Sequence, residues 1–539
     1  MNTITLEQIR VDRETLRQRW YREGYFTDQT FTQRLIDGSR RHADVPLIFA
    51  NADGALETTV GAVQCEAMQL AGALQARGLA AGDAVVIQMP TTRETLVLYQ
   101  AALLIGAVIV PVIAAYGSAE LGFILNQSRA RALMLPDRWR NIDFTARLSQ
   151  TAMPPSLEHV IVLGTTAPAG AVTYEQLKRD ERAFTASHIS ADSVCALIYT
   201  SGTSGVPKGV KHTHNTLLID WQCPLYAPRG AFLNVWPAGH VGGLYYLLRP
   251  VLLGVPQVFM DQWNAGLALQ LIERYRVTDC GGTPFFLMSL LAAHEAAGGS
   301  APLPTYFAMG GASVTPEHVK LAEAHGMRSC RGYGMSEQPT VTWAPYDAPL
   351  EKRAATDGCA TPHNEVRLVD ETGVDVPQGS EGEIVVRGPE QFIGYTDESL
   401  DVESFLPGGW FKSGDLGRID ADGYVVVTGR KKDLIIRGGE NISAREIEDL
   451  MMQMPGVVEV AVVGAPDMAY GERVCAFVVL HDATAELCLS AVRAHFQSAG
   501  VAKQKTPERL ECVADLPRNA AGKVLKRELR ERLQLPTTR

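Results

Sequence analysis

The 539-residue sequence lacks any CxxC pair, although it carries nine cysteines: Cys65, Cys195, Cys223, Cys280, Cys330, Cys359, Cys475, Cys488 and Cys512. That scatter excludes a zinc cage and a secreted disulfide framework, and it points to a reducing cytoplasm. No Lys/Arg run forms a basic arm, and the formal net charge of −10 argues against a general nucleic-acid binder. The first twenty residues, MNTITLEQIRVDRETLRQRW, hold no apolar core of signal-peptide length, so export is not expected. The most apolar stretch, 101–115, is interrupted by Pro111 and is shorter than the ~20 residues a membrane span requires. It reads as a buried helix-to-strand segment, and no integral membrane segment is expected.

What is present is ordinary globular material, with 46% hydrophobic and 20% charged residues. The length implies about three or four structural units. Charge is unevenly spread: Lys431 to Arg539 holds 16 basic and 15 acidic residues, a balance of +1, which leaves −11 for the remainder. Anionic ligands are better tolerated near that tail.

Helical apolar spacing alternates with short Val/Ile runs through the first two-thirds. Helices are predicted at 60–77 and 94–104, and strands at 84–89, 160–163 and 196–199. This is α/β layering. After about Thr361 the pattern turns to short strands and tight turns at 365–369, 383–387 and 424–428. A last α+β unit is expected from a helix near 444–452, strands at 457–463 and 474–480, and a helix near 487–499. The expected architecture is therefore a large N-terminal domain, 1–431, of layered α/β subdomains with a β-rich subdomain at about 361–431. A small mobile C-terminal α+β domain, 432–539, follows.

Several blocks carry chemistry. Tyr199-Thr200-Ser201-Gly202-Thr203-Ser204-Gly205-Val206-Pro207-Lys208-Gly209 directly follows an apolar strand. Its hydroxyls, glycines and main-chain N–H groups suit phosphate oxygens, and Lys208 adds charge. The spacing is not that of a Walker loop. Taken alone, such a stretch is also a flexible Ser/Gly surface loop. Arg331-Gly332-Tyr333-Gly334-Met335-Ser336-Glu337 offers an aromatic face, a hydroxyl and a carboxylate in succession, and Gly310-Gly311-Ala312-Ser313 precedes it. Leu516-Pro517-Arg518-Asn519-Ala520-Ala521-Gly522-Lys523 ends the chain's polar blocks, where a Lys in isolation is usually only solvated.

Together these blocks resemble the adenylate-forming superfamily of acyl-CoA synthetases, luciferases and peptide-synthetase adenylation domains, in the family's order from about Phe31 to Leu533. The resemblance implies that Thr200–Gly205 and Lys208 cradle the phosphates of ATP. It implies that Gly311, Ala312, Gly332, Tyr333, Gly334 and Met335 shape the adenine slot, with Tyr333 stacked on the base. Ser336 then meets the α-phosphate and Glu337 binds Mg2+, which favours few protein oxygens plus phosphates. Asp415, in Trp410-Phe411-Lys412-Ser413-Gly414-Asp415, corresponds to the ribose-binding carboxylate, and Arg430 reaches the ribose and phosphate region. Lys523 corresponds to the lysine bridging the substrate carboxylate and the α-phosphate.

The resemblance also makes Lys432 the hinge between two orientations of the C-terminal domain, and it places Gly438 and Gly439 on the coenzyme A path, where a side chain would obstruct the thiol arm. Trp236-Pro237-Ala238-Gly239-His240-Val241-Gly242-Gly243 resembles the acyl-pocket motif. His240, Gly239, Gly242 and Gly334 are its candidate wall, with His240 also a candidate catalytic group. Gly239 stands where the family often has Phe, and the expectation is a larger or looser wall. Gly334 replaces the Trp of acetate-specific relatives, so the acid is expected to exceed acetate. The absence of an acidic residue from 238–244 argues against an α-amino acid.

The expected function is an ATP-dependent carboxylic acid–CoA ligase for fatty, alicyclic or aryl acids. An acyl-AMP ligase serving a carrier-protein phosphopantetheine, or a nucleotide-binding relative without ligase turnover, are the alternatives. No carrier domain follows Arg539, which favours free coenzyme A. A homodimer is left open.

Overall fold

The computed structural model describes residues 4–180, 182–200, 207–222, 229–481 and 487–534. Its architecture is the layered α/β body and small α+β unit that the residue pattern indicates, built on four large sheets.

A seven-stranded sheet runs in the order Lys208–Thr213, Val194–Thr200, Val108–Val112, Ala84–Gln88, Ala132–Pro136, His159–Leu163, Val172–Thr173. Lys208–Thr213 returns antiparallel at its edge, while the others pair in parallel. Parallel strands are covered on both faces, which explains why AVVIQ, VIVPV and ALMLP are buried throughout. Helices Val60–Ala76 and Arg93–Leu104 supply the cover, and Thr59 and Thr92 cap them by accepting from the amides of Ala62 and Thr95. The apolar 101–115 stretch is a buried helix end followed by strand Val108–Val112, as its length requires.

The nine-stranded sheet runs Cys359–Ala360, Gln338–Trp343, Arg328–Met335, Tyr306–Met309, Val277–Gly282, Ala231–Asn234, Gln257–Met260, Pro46–Asn51, Gly54–Thr59. A third, antiparallel sheet spans Glu365 to Arg430. After the short 3-10 turn Lys431–Asp433, the fourth sheet begins at Leu434 and gathers Gly471–Leu480, Val457–Asp467 and Arg509–Cys512. Helices Ala444–Met451 and Leu489–Ser498 bury Ile447, Met451, Val492 and Phe496 against it.

The N-terminal helix Leu6–Arg22 braces the third sheet region. Arg13 pairs with Asp401 at 2.8 Å and stacks over Phe405, and Asp12 accepts the Gly408 amide. Among the described residues, no helix is long and apolar enough to cross a membrane.

Candidate active site

Strand Val194–Thr200 ends at the phosphate-loop motif, and Ser201, Gly202, Thr203, Ser204 and Gly205 lie outside the described residues. Both flanks are fixed. Thr200 pairs with Lys208 and Tyr199 with Gly209. Gly209 must lack a side chain, because a Cβ there would stand 2.7 Å from Thr396 Oγ1. The segment 393–396 crosses at that point: Thr396 donates to Gly209 O and Ile393 to Lys211 O. This crossing delivers Tyr395, whose hydroxyl donates to Glu337 Oε1 at 2.7 Å and whose ring lies 5.3 Å below the Lys208 ammonium.

Glu337 occupies the turn between the antiparallel strands Arg328–Met335 and Gln338–Trp343. Two contacts hold that turn from beneath. His212 Nε2 donates to Ser336 O at 2.7 Å, and the Phe392 amide donates to Glu337 O at 2.8 Å. His212 is wholly buried, and burial pushes its pKa down to about 4, so it is a neutral donor. Burial also raises the Glu337 pKa, against the opposing pull of the Tyr395 hydrogen bond, Lys208 and Arg430. A carboxylate beside an ammonium at a half-buried turn is a suitable single protein donor for Mg2+.

Tyr333 and Gly332 lie on the strand leading to this turn. The Tyr333 hydroxyl donates to Asp415 Oδ2 at 2.7 Å, and Arg430 Nε donates to Asp415 Oδ1 at 2.9 Å. Asp415 and Arg430 face each other because strands Trp410–Ile419 and Val425–Arg430 pair in that register. Both oxygens of this buried carboxylate are therefore engaged. Gly332 packs under Trp343, where a Cβ would be 2.6 Å from the ring.

The other wall comes from strand Tyr306–Met309 and the turn after it. Gly311 has φ +72°, and a Cβ there would lie 2.9 Å from the Trp236 ring; Ala312 follows it half-buried. Trp236 stacks on His240, with ring centroids 5.6 Å apart and an interplanar angle of 16°. His240 caps helix Val241–Leu253, its Nδ1 accepting the Gly242 amide at 3.2 Å. That bond leaves the ring proton on Nε2. Burial first, and then the positive charge of Lys523, push the His240 pKa down to about 4.

Lys523 reaches this cleft from the C-terminal domain on a turn closed by Asn519, whose side chain accepts the amides of Ala521 and Lys523. The positive charge of Arg430 is the largest influence on it, followed by burial and Lys432, and together they lower its pKa to about 7. The structure thus brings Lys523, Arg430, Lys432, Asp415 and His240 into one electrostatic neighbourhood.

The surroundings of five glycines, Gly239, Gly334, Gly242, Gly438 and Gly439, bear on their expected roles. Gly239 does not loosen a pocket wall, because a Cβ there would stand 2.3 Å from Ile113 N; the position is packed on the main chain leaving strand Val108–Val112. Gly334 is excluded from bearing a side chain by its own hairpin, since a Cβ would meet Pro339 O at 1.9 Å. Gly242 is looser, 3.3 Å from Trp236. Gly438 and Gly439 lie in an exposed turn with φ +60° and +88°, and nothing stands within 4 Å of a Cβ on Gly439. In this orientation backbone conformation, rather than crowding, calls for glycine there.

A family model described as AMP-binding enzyme matches residues 38–396, and one described as AMP-binding enzyme C-terminal domain matches residues 446–523. The chain belongs to the AMP-binding enzyme family. Within that family it is 35% identical over 486 residues to the medium-chain fatty-acid–CoA ligase of Escherichia coli strain K12, spanning 88% of this chain and 85% of that protein. It is 32% identical over 539 residues to the 2-hydroxy-7-methoxy-5-methyl-1-naphthoate–CoA ligase of Streptomyces carzinostaticus, spanning 95% and 94%. The structure of ATP-bound MatB from Rhodopseudomonas palustris aligns with a TM-score of 0.79 at 31% identity, over 94% of this chain and 99% of that one.

Sequence reasoning about this AMP-binding enzyme missed Tyr395 and His212. Each stands alone in its segment, and its relation to Glu337 or Ser336 exists only after folding. The reading also missed a buried group behind the site. Asp220, His363 and Glu390 place ligand-type atoms within 4.8 Å of one another, the one such cluster among the described residues. Glu390 already accepts from Asn364 and from the Thr340 amide, and Asp220 accepts from the Thr340 hydroxyl. Burial and the Glu390 carboxylate push the Asp220 pKa well up, which favours its neutral form.

Proposed function

We propose that this protein is an AMP-forming carboxylic acid–CoA ligase. The acid's carboxylate attacks the α-phosphorus of ATP and pyrophosphate leaves; the thiol of coenzyme A then attacks the acyl carbonyl and AMP leaves. The observation that carries the reading is the approach of Lys523 to the Asp415–Arg430 pair on one side and to His240 on the other. A carboxylate approaching a triphosphate needs positive charge where negative charge develops. Lys523 supplies it between the two anions, the phosphate-loop amides and Lys208 supply it at the phosphates, and the fixed cleft removes the entropy of the encounter. Magnesium, held by Glu337, would neutralise phosphate charge when bound. Asp415 would exchange its Tyr333 hydrogen bond for the ribose hydroxyls, freeing Tyr333 to lie against adenine. His240, neutral with its proton on Nε2, would donate to the acid's carboxylate oxygen.

Lys432 lies in the short turn joining the third and fourth sheets. We place the domain boundary and the hinge there. Rotation about it would withdraw Lys523 and bring Gly438 and Gly439 to the thiol path for the second half-reaction. The relatives named for fatty-acid and naphthoate substrates support an acid larger than acetate, drawn from fatty, alicyclic or aryl acids. The described cysteines are free thiols, which suits a cytoplasmic setting.

A carboxylic-acid panel scored by coenzyme A-dependent AMP formation tests this. Medium-chain and aryl acids are expected to give AMP and a CoA thioester. AMP formation that requires a phosphopantetheinylated carrier protein instead of free coenzyme A would overturn the acceptor, and no pyrophosphate with any acid would overturn the reaction.

A further inference from the structure

The Lys523 turn touches the N-terminal body at a spot outside the nucleotide site. Thr283 and Phe285 stand at the start of helix Pro284–Ala296, just after strand Val277–Gly282. Gly522, with φ +76°, lies against them so closely that a Cβ would be 2.7 Å from Thr283 Oγ1 and 3.2 Å from the Phe285 ring. The Arg518 guanidinium sits 5.2 Å above the same ring. Arg518 is itself fastened within the C-terminal domain, donating to Gly522 O at 3.1 Å and pairing with Glu459. Thus the residue that clasps Phe285 also closes the turn carrying Lys523, one residue beyond Gly522.

Phe285 is half-buried and edge-on to Phe286, a contact made within the body itself. Other contacts across the boundary lie elsewhere. Arg445 donates to Val314 O, and the Ser443 hydroxyl donates to Thr428 O at 2.7 Å. They hold the domain's base near the turn at Lys431–Asp433, whereas the Phe285 contact holds the tip that bears the lysine.

We infer that Phe285 is a positioning residue for Lys523: its ring, clasped by Arg518 and Gly522, sets how much of the time the lysine occupies the cleft. A guanidinium on an aromatic face, partly withdrawn from water, is a contact strong enough to bias an orientation yet weak enough to break in each cycle. Phe285 meets the turn through Gly522 and Arg518 and acts through them. The inference rests on the proposed role of Lys523 in adenylation.

The test uses the full chain and separates the half-reactions: acid-dependent ATP–pyrophosphate exchange, and CoA-thioester formation from supplied acyl-adenylate. Phe285→Ala should slow exchange about 3- to 30-fold at saturating substrates, leave the KM values within about twofold, and leave thioester formation from acyl-adenylate undiminished. Phe285→Leu, which keeps bulk without the aromatic face, should be impaired in exchange, and Phe285→Tyr should restore it. Equal slowing of both half-reactions, a raised KM with unchanged kcat, or wild-type exchange by Phe285→Leu would each overturn the inference. Lys523→Ala run alongside separates the two failures. If it does not divide the half-reactions, the reading of Lys523 falls; if it does and Phe285→Ala does not, the positioning role alone falls.

Discussion

The floor of the site and the lysine turn above it are built on opposite principles. In the floor, Tyr333, Asp415 and Arg430 come from three strands and lock together, and Glu337 is held by Tyr395 while His212 and Phe392 hold its turn. Every one of these partners belongs to the N-terminal body. The turn bearing Lys523 is closed on itself through Asn519, and it meets that body at Thr283 and Phe285. On the proposed reading, a preorganised floor and a detachable cation suit a reaction in which the nucleotide stays while the charge needed for the first step leaves before the second.

The sharpest way to break this contrast is to remove the cation. Lys523→Ala should reduce ATP–pyrophosphate exchange by about 10²- to 10³-fold, with thioester formation from supplied acyl-adenylate retained. Equal loss of both would make Lys523 part of the floor. Next in size is the hinge. Lys432→Pro fixes φ in the short turn and should keep exchange while cutting thioester formation by about 10²-fold, the scale of a misplaced reacting group. Normal overall turnover in that variant would show that the rotation pivots elsewhere. Removing the floor's brace should be milder and affect binding. Asp415→Asn loses the charge that Arg430 and Tyr333 address, so the Kd for ATP should rise about 10- to 100-fold by calorimetry. An unchanged Kd would detach Asp415 from the ribose.

Much of the fold was legible because its signals are periodic. Buried parallel strands such as AVVIQ and ALMLP announce themselves by composition, and the shift after Thr361 to short strands marks the antiparallel third sheet. Asp415 and Arg430 could each be named by family resemblance, but no spacing rule reveals that their strands pair them directly. Tyr395, His212 and Phe285 were illegible for a related reason: each acts on a residue more than fifty positions away and belongs to no local motif. Gly239 shows a different limit. A missing side chain reads as open space in a sequence, whereas here it marks a close approach to the main chain at Val112 and Ile113. The N-terminal helix Leu6–Arg22 was hidden by its charge, since its role is to send Arg13 and Asp12 onto the third sheet region.

The smallest expected effect is the uptake of about one proton, and it tests whether the turn and the floor communicate electrostatically. In the free protein Arg430, burial and Lys432 lower the Lys523 pKa to about 7. A lowered pKa means that the lysine is charged below pH 7 and mostly neutral above it. Bound phosphates favour the charged form, so the ATP complex should hold a proton that the free protein lacks at pH 8, while at pH 6 both states already carry it. Calorimetry of ATP binding in buffers of different ionisation enthalpy should therefore show uptake approaching about one proton at pH 8 and near zero at pH 6. Subtracting the same titration of Lys523→Ala removes the nucleotide's own protonation. If the variant takes up as much as the native protein at pH 8, Lys523 does not meet the phosphates on binding, and the detachable cation would have to act only after the acid arrives.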